Sequence, residues 1–325
     1  MTSVTAVGSA GAVIQVVAVT LSAPVLIGMM RQIRARLEGR RGPGIGQPWR
    51  DLRKLARKER IRPDGTTIVF VAAPSVLAGT VLAIAAIVPI VTTNSPLDRV
   101  ADLFAVVGLL LLGSVALALA GIDTGTAFGG MGASRQMTIA ALVEPSALLA
   151  VFALSVPVHS SNLGAIVTAA ALHPVGAATP AAALAFTSLT IVVIAESGRL
   201  PVDNPTTHLE LTMVHEASTL EYAGGQLGLL EWAAATRLTV LLALLANLFL
   251  PFGIATSHAG IGGLVVGLVA IAIKVAVLAA ALAVAEVFLA KLRLFRVPEL
   301  LAGSFVLGLL AVTVSYFLTT PAAGR

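Results

Sequence analysis

Residues 261–290 read IGGLVVGLVAIAIKVAVLAAALAVAEVFLA, an apolar run interrupted by two ionisable side chains, Lys274 and Glu286. Rising about 1.5 Å per residue, a helix of roughly twenty such residues crosses a hydrocarbon core of about 30 Å. The run lacks the polar/apolar alternation of a barrel strand, so a helix is the spanning element. Lys274 and Glu286 lie twelve residues apart, about 18 Å along a helix. They cannot pair with each other, and each needs water or another partner, because an unpaired charge at mid-bilayer costs at least about 2.5 kcal/mol.

The rest of the chain repeats this pattern. Of its 325 residues 57% are hydrophobic and 11% charged, with a mean hydropathy of +0.96, whereas soluble domains carry roughly 25% charged residues. The fold class is therefore all-α, a polytopic helical membrane protein in a single membrane domain, 1–325. Eight spans are expected, at about 10–30, 67–91, 100–122, 138–157, 179–197, 236–257, 261–290 and 300–319. The first lacks a basic leader and cleavage logic and is read as a retained span. Pro74, Pro89 and Pro157 fall in or near span ends, where a missing amide is easiest to accommodate. Residues 159–179 read as an external loop with an interfacial helix. No internal repeat, low-complexity tract or soluble domain stands out.

Eighteen Lys and Arg fall on one side of this topology, twelve of them between Arg31 and Arg62, while the other side holds only Arg99 and Arg325. By the positive-inside rule the eighteen are cytoplasmic and both termini lie outside, in a cell inner membrane. Cysteine is absent, which excludes disulfides, thiolate metal sites and iron-sulfur ligation, so any redox centre must sit on another chain.

The basic loop, 31–66, begins with a Gly and Pro cluster and then turns amphipathic. Trp49, Leu52, Leu55 and Ala56 recur at helical spacing among Arg50, Arg53, Lys54, Arg57 and Lys58, the pattern of a short surface helix. It serves either to hold anionic headgroups, at roughly 1 kcal/mol per basic residue, or to dock a partner.

The second loop, 198–235, takes in most of AESGRLPVDNPTTHLELTMVHEASTLEY, residues 195–222. Asn204 and Pro205 read as N-cap and first position of a helix running to about Ala217. His208 and His215, seven apart, lack the four-residue spacing and third ligand of a zinc helix, so no metal is expected. No serine elbow, phosphate loop or nucleic-acid module is present. Glu144, placed about a turn inside the fourth span, stands near Glu196 and the acidic loop. Carboxylates gathered near one membrane face, with burial raising their proton affinity, are what a proton path requires. The plainer alternative is a set of acids tying helices together.

RRGPGIGQPWRDLRKLARKE at 40–59, Glu144 beyond Arg135, and the 195–222 segment resemble the membrane subunit shared by respiratory complex I and group 4 nickel-iron hydrogenases. The likeness covers most of the chain. QPWRDLRKL and DNPTTHLELTMVHE are more similar to the formate hydrogenlyase branch, and KLRLFRVPELL departs from the complex I ending. The resemblance implies a heel subunit between a peripheral redox arm, with hydrogenase large and small subunits, and antiporter-like membrane subunits. It implies no cofactor on this chain, with nickel-iron and iron-sulfur centres on partners. Glu196, Arg199, Pro201 and Asp203 fall on the family's acidic loop, and Glu210 and Glu221 on its two later glutamates. The implied proton path is Glu144, Glu196, Asp203, Glu210 and Glu221, with Glu216 as an addition; Arg199 would pair with neighbouring carboxylates. Arg40, Arg41, Gln47, Trp49, Arg50, Arg53 and Lys54 would dock the partner. A quinone-site subunit of an NADH:quinone oxidoreductase is the competing reading, and a stand-alone cation transporter a third.

Overall fold

The computed structural model describes residues 2–203, 215–255, 260–289 and 296–319. They are helical throughout, with no strand among them and only two isolated bridges. In chain order the helices are α1 Thr2–Leu37, α2 Gln47–Ala56, α3 Ile68–Ile87, α4 Leu103–Asp123, α5 Ala127–Ser155, α6 Leu163–Leu172, α7 Pro174–Ala177, α8 Pro180–Glu196, α9 His215–Thr219, α10 Gly224–Phe249, α11 Ile261–Phe288 and α12 Val297–Thr319.

Local chemistry sets the starts. Thr67, Asp102, Thr126, Asn162 and Thr179 each accept a backbone N–H from the first turn of α3, α4, α5, α6 and α8, satisfying donors that a helix leaves orphaned. The end of α3 is closed from α1. Gln15 Nε2 donates to Ala85 O and Val88 O at 2.7 Å, and its Oε1 accepts from Ile90 N and Val91 N at 3.1 and 3.0 Å. The backbone that breaks at Pro89 inside an apolar core thus stays hydrogen-bonded, as it must without water.

Among the described residues seven helices are long and apolar enough to cross a membrane. The expected span at 179–197 is α8, whose 17 residues are short of that length; it packs between α5 and α12. Small residues make these crossings close. Ser188 and Ser304 join α8 to α12 at 3.1 Å, and Ser315 Oγ donates to Ala153 O at 2.8 Å. The core is centred on α10, where every residue from Arg237 to Leu248 is buried against α1, α3, α8 and α11.

Two expected spans shift most. The fourth span begins at Ala127, because Gly129 and Gly132 fit closely against α4 and α9, so packing extends the helix past its polar start. The sixth runs from Gly224 to Phe249, not 236–257. Its end falls just before Pro251, where a ring clash and missing amide stop it. The acidic loop is correspondingly shorter than 198–235. Arg135 and Arg237, two of the eighteen basic residues placed on the cytoplasmic side, both lie within helices.

Candidate functional site

A cavity of about 240 Å³ lies between α1, α2, α9, α10 and the turn after α8. Its polar wall holds Arg31, Arg34, Asp51, Arg199, Asp203, Glu216 and Glu231, and its apolar wall includes Leu77, Leu117, Leu227, Leu230 and Leu238. A second, smaller cavity of about 30 Å³ adjoins it, sharing Gly198 and Asp203 and adding Ser114, Gln136 and Glu196. That volume matches roughly one water, and the polar lining supplies the two to four partners a buried water needs. One of those partners is Gln136 Oε1, a buried acceptor with no protein donor.

Three elements bring opposite charges together at the cavity's edge. Glu286, on α11, is 4% exposed; its Oε2 lies 3.1 Å from Arg34 of α1 and its Oε1 3.3 Å from Arg199. The Arg34 contact is an ion pair without hydrogen-bond alignment, leaving Oε2 without a donor. Burial lowers the proton affinity of the Arg199 guanidinium and Glu286 opposes that shift; a guanidinium stays charged regardless.

Deeper in the bundle, Arg237 stands midway along α10 and pairs with Glu196 at the end of α8, their side chains only 8% and 6% exposed. The same Nη2 donates to Leu110 O at 3.1 Å and Ser114 Oγ at 3.0 Å on α4. Arg237 is also the charge that Glu144 of α5 feels, and Glu144 Oε1 is buried without a hydrogen-bond partner. Because α5 starts at Ala127, Glu144 sits past the helix's midpoint rather than a turn inside it. Among the described residues Glu196 is the carboxylate paired with that guanidinium, and Glu144 makes no ion pair with it.

Of the sequence-derived path, the structure brings Asp203 and Glu216 to the larger cavity and Asp203 and Glu196 to the smaller, while Glu144 lines neither. Glu221 is half-buried in the turn before α10 and does not line either cavity. That turn is instead held by its neighbour Tyr222, stacked on Phe70 at 4.0 Å with its hydroxyl donating to Phe70 O at 2.8 Å. Glu210, His208 and the Asn204 cap lie outside the described residues. Among those described, no cluster of metal-ligating side chains occurs.

The basic loop folds back on the bundle. Helix α2 packs on α10 and α1, with Leu55 against Gly228. Gly28 lies so close under Ile45 O that a Cβ there would collide with the backbone. Gln47 donates to Asp51 at 2.8 Å, and Arg50 reaches Pro43 O at 3.5 Å. Arg40, which pairs with Glu38, and Arg41, Trp49, Arg50, Arg53 and Lys54 face outward.

Sequence reading missed Arg237 as a buried ion-pair partner, and Asp51 and Glu231 as cavity acids. Asp51 follows Trp49 in the amphipathic repeat and Glu231 lies in a stretch read as loop; only the packing of α2 on α10 reveals a common wall.

Residues 10–317 match the NADH dehydrogenase family. Formate hydrogenlyase subunit 4 of Escherichia coli K12 is 33% identical over 92% of this chain and 95% of its own length. Hydrogenase-4 component C of the same organism is 33% identical, covering 92% and 93%. An NADH-quinone oxidoreductase subunit of Syntrophobacter fumaroxidans is 32% identical over 71% and 72%. The solved structure of the membrane-bound sulfane sulfur reductase, an archaeal respiratory membrane complex, contains a chain that superposes with a TM-score of 0.80 at 19% identity, covering 94% of this chain and 98% of that one. That superposition establishes a shared fold.

Proposed function

The chain belongs to the NADH dehydrogenase family, and on that premise we propose that it is the proton-coupling membrane subunit of an energy-converting nickel-iron hydrogenase complex of formate hydrogenlyase type. It anchors a peripheral redox arm and joins it to antiporter-like membrane subunits. It binds no cofactor itself; the nickel-iron and iron-sulfur centres belong to the hydrogenase large and small subunits.

The carrying observation is the set of acids that begins in the cavity beside the basic loop and reaches the buried Glu196–Arg237 pair. Asp51, Glu216 and Glu231 offer carboxylates in the larger cavity, Asp203 stands where the two cavities meet, and Glu196 lines the inner one. Proton transfer between them needs hydrogen-bond reach or one intervening water, for which the inner cavity has room. When Glu196 is ionised it holds Arg237. When Glu196 takes a proton, the guanidinium is left to Glu144, whose ionised form it then favours. A change of charge in a redox centre seated over the cavity biases the first of these steps.

A quinone-site subunit is supported by the leucine-lined side of the same cavity and by the NADH-quinone oxidoreductase relative. The cavity's 240 Å³ falls below the roughly 300–1,000 Å³ usual for small-molecule pockets, which favours the proton reading. A quinone analogue that protects residues 34–65 from chemical labelling would reverse that order.

The test is mild detergent extraction followed by assay of the Asp203→Asn and Glu216→Gln variants. Co-purification of a nickel-iron protein, with hydrogen evolution that loses its proton coupling in the variants, is expected. Absence of a nickel-iron partner, or variants that couple like wild type, overturns the proposal.

A further inference from the structure

Glu286 finds two arginines, but Lys274, the other ionisable group of the 261–290 run, does not find an acid. It stands at the midpoint of α11 and is half-buried. Its Nζ donates to Asn247 Oδ1 at 3.3 Å. Among the described residues no carboxylate lies within ion-pair distance of it. Asn247 is itself committed, its Nδ2 donating to Pro89 O at 2.9 Å and Ile90 O at 2.7 Å. The amide therefore offers an ammonium group one neutral acceptor, and an ammonium carries three donors.

The surface beside Lys274 has the form of a helix seat. Val266, Ala270, Ile273, Val277 and Ala281 follow one another at three- and four-residue steps along α11, the spacing of a single face. Ile273 and Val277 are 60% and 62% exposed, while the exposed Ala281 is small enough to admit a neighbouring backbone. Lys274 lies on the margin of this stripe, between the exposed face and the buried one that carries Gly267 and Ile271.

Hydrocarbon alone is a poor cover for such a face, because lipid chains cannot satisfy an ammonium and ionisable groups in spans pair with one another. Charge complementarity selects an acid, and the apolar stripe selects a membrane helix. We propose that this flank of α11 seats a transmembrane helix of a partner membrane subunit that presents an Asp or Glu carboxylate to Lys274. The inference rests on the multi-subunit membrane complex proposed above and adds which face of this chain meets the membrane partner.

Because the chain has no cysteine, Ile273→Cys or Val277→Cys provides a single attachment point for a photo-crosslinker in the intact complex in its own membrane. The expected product is an adduct with another membrane subunit, mapping to an apolar helix that contains Asp or Glu. The adduct is expected to fall at least several-fold with Lys274→Met and to persist with Lys274→Arg. The probe in an otherwise unchanged chain reads the contact even where Lys274→Met fails to fold. Adducts only with lipid, with a second copy of this chain, or with a segment lacking an acid overturn the inference. Such a result leaves proton coupling through Asp203 and Glu216 standing, whereas coupled turnover in those variants overturns the functional proposal and leaves the α11 contact intact.

Discussion

The carboxylate of Glu286 lies 3.1 Å from the guanidinium of Arg34, tying the far end of α11 to the first helix, and the same carboxylate lies 3.3 Å from Arg199. One buried acid therefore bridges two cations. Removing one member of a buried pair costs about 3–5 kcal/mol, because the remaining charge keeps its desolvation penalty. Glu286→Gln is expected to destabilise the chain by that order, read as a lower Tm in detergent, with Glu286→Asp milder. A Glu286→Gln protein as stable as wild type contradicts this pairing.

Gly132 separates two outcomes of the same substitution. A Cβ at Gly132 would lie 2.8 Å from Ser218 N and Oγ and 2.9 Å from the Ala217 Cβ, on the helix that carries Glu216. Gly132→Ala is expected to lower stability by about 1–3 kcal/mol, the usual cost of overpacking. Gly130, two residues away on α5, has open space around its missing Cβ. Gly130→Ala is expected to be neutral or to stabilise by up to about 1 kcal/mol through helix propensity. Thermal denaturation of both variants checks the opposite signs.

Glu196 and Arg237 are expected to be strongly non-additive. Glu196→Gln removes the carboxylate that holds Arg237, and Arg237→Met strands the carboxylate of Glu196, so each alone costs more than half of the double change. A double-mutant cycle measured by thermal unfolding should give a coupling of about 0.5–3 kcal/mol. Strict additivity shows that the pair does not form.

Much of the fold was readable because membranes impose simple arithmetic. Runs of about twenty apolar residues became helices. Lys274 and Glu286 announced themselves because the apolar run 261–290 carries no other charge. The site was less legible. Arg237 stands at the edge of an apolar window and reads as a boundary charge, yet packing carries α10 well past it toward the N-terminus. Glu286 could be seen to need a partner, but Arg34 and Arg199 come from distant segments whose meeting is a fact of three dimensions. The acid at Glu221 read as part of the path because of its place in the motif; in the structure its turn is organised by Tyr222 and Phe70.

The outward charges of α2 give a prediction about assembly. Arg53 and Lys54 are exposed, so reversing them changes surface charge without opening the bundle, and surface changes of this kind usually stay within about 0.5 kcal/mol of stability. Arg53→Glu combined with Lys54→Glu is expected to leave Tm nearly unchanged while releasing the peripheral subunits at lower salt than wild type, since exposed ion pairs are screened. Retention of those subunits across the same salt series argues that α2 meets lipid instead.

Proton movement per turnover, measured with a pH-sensitive dye in sealed vesicles holding the assembled complex, is the most direct measurement of an acid relay ending at Glu144. The predicted result is that Glu144→Gln abolishes or sharply reduces proton movement while the complex remains assembled, and that Glu144→Asp restores a substantial part. Full proton movement by an assembled Glu144→Gln complex contradicts the relay.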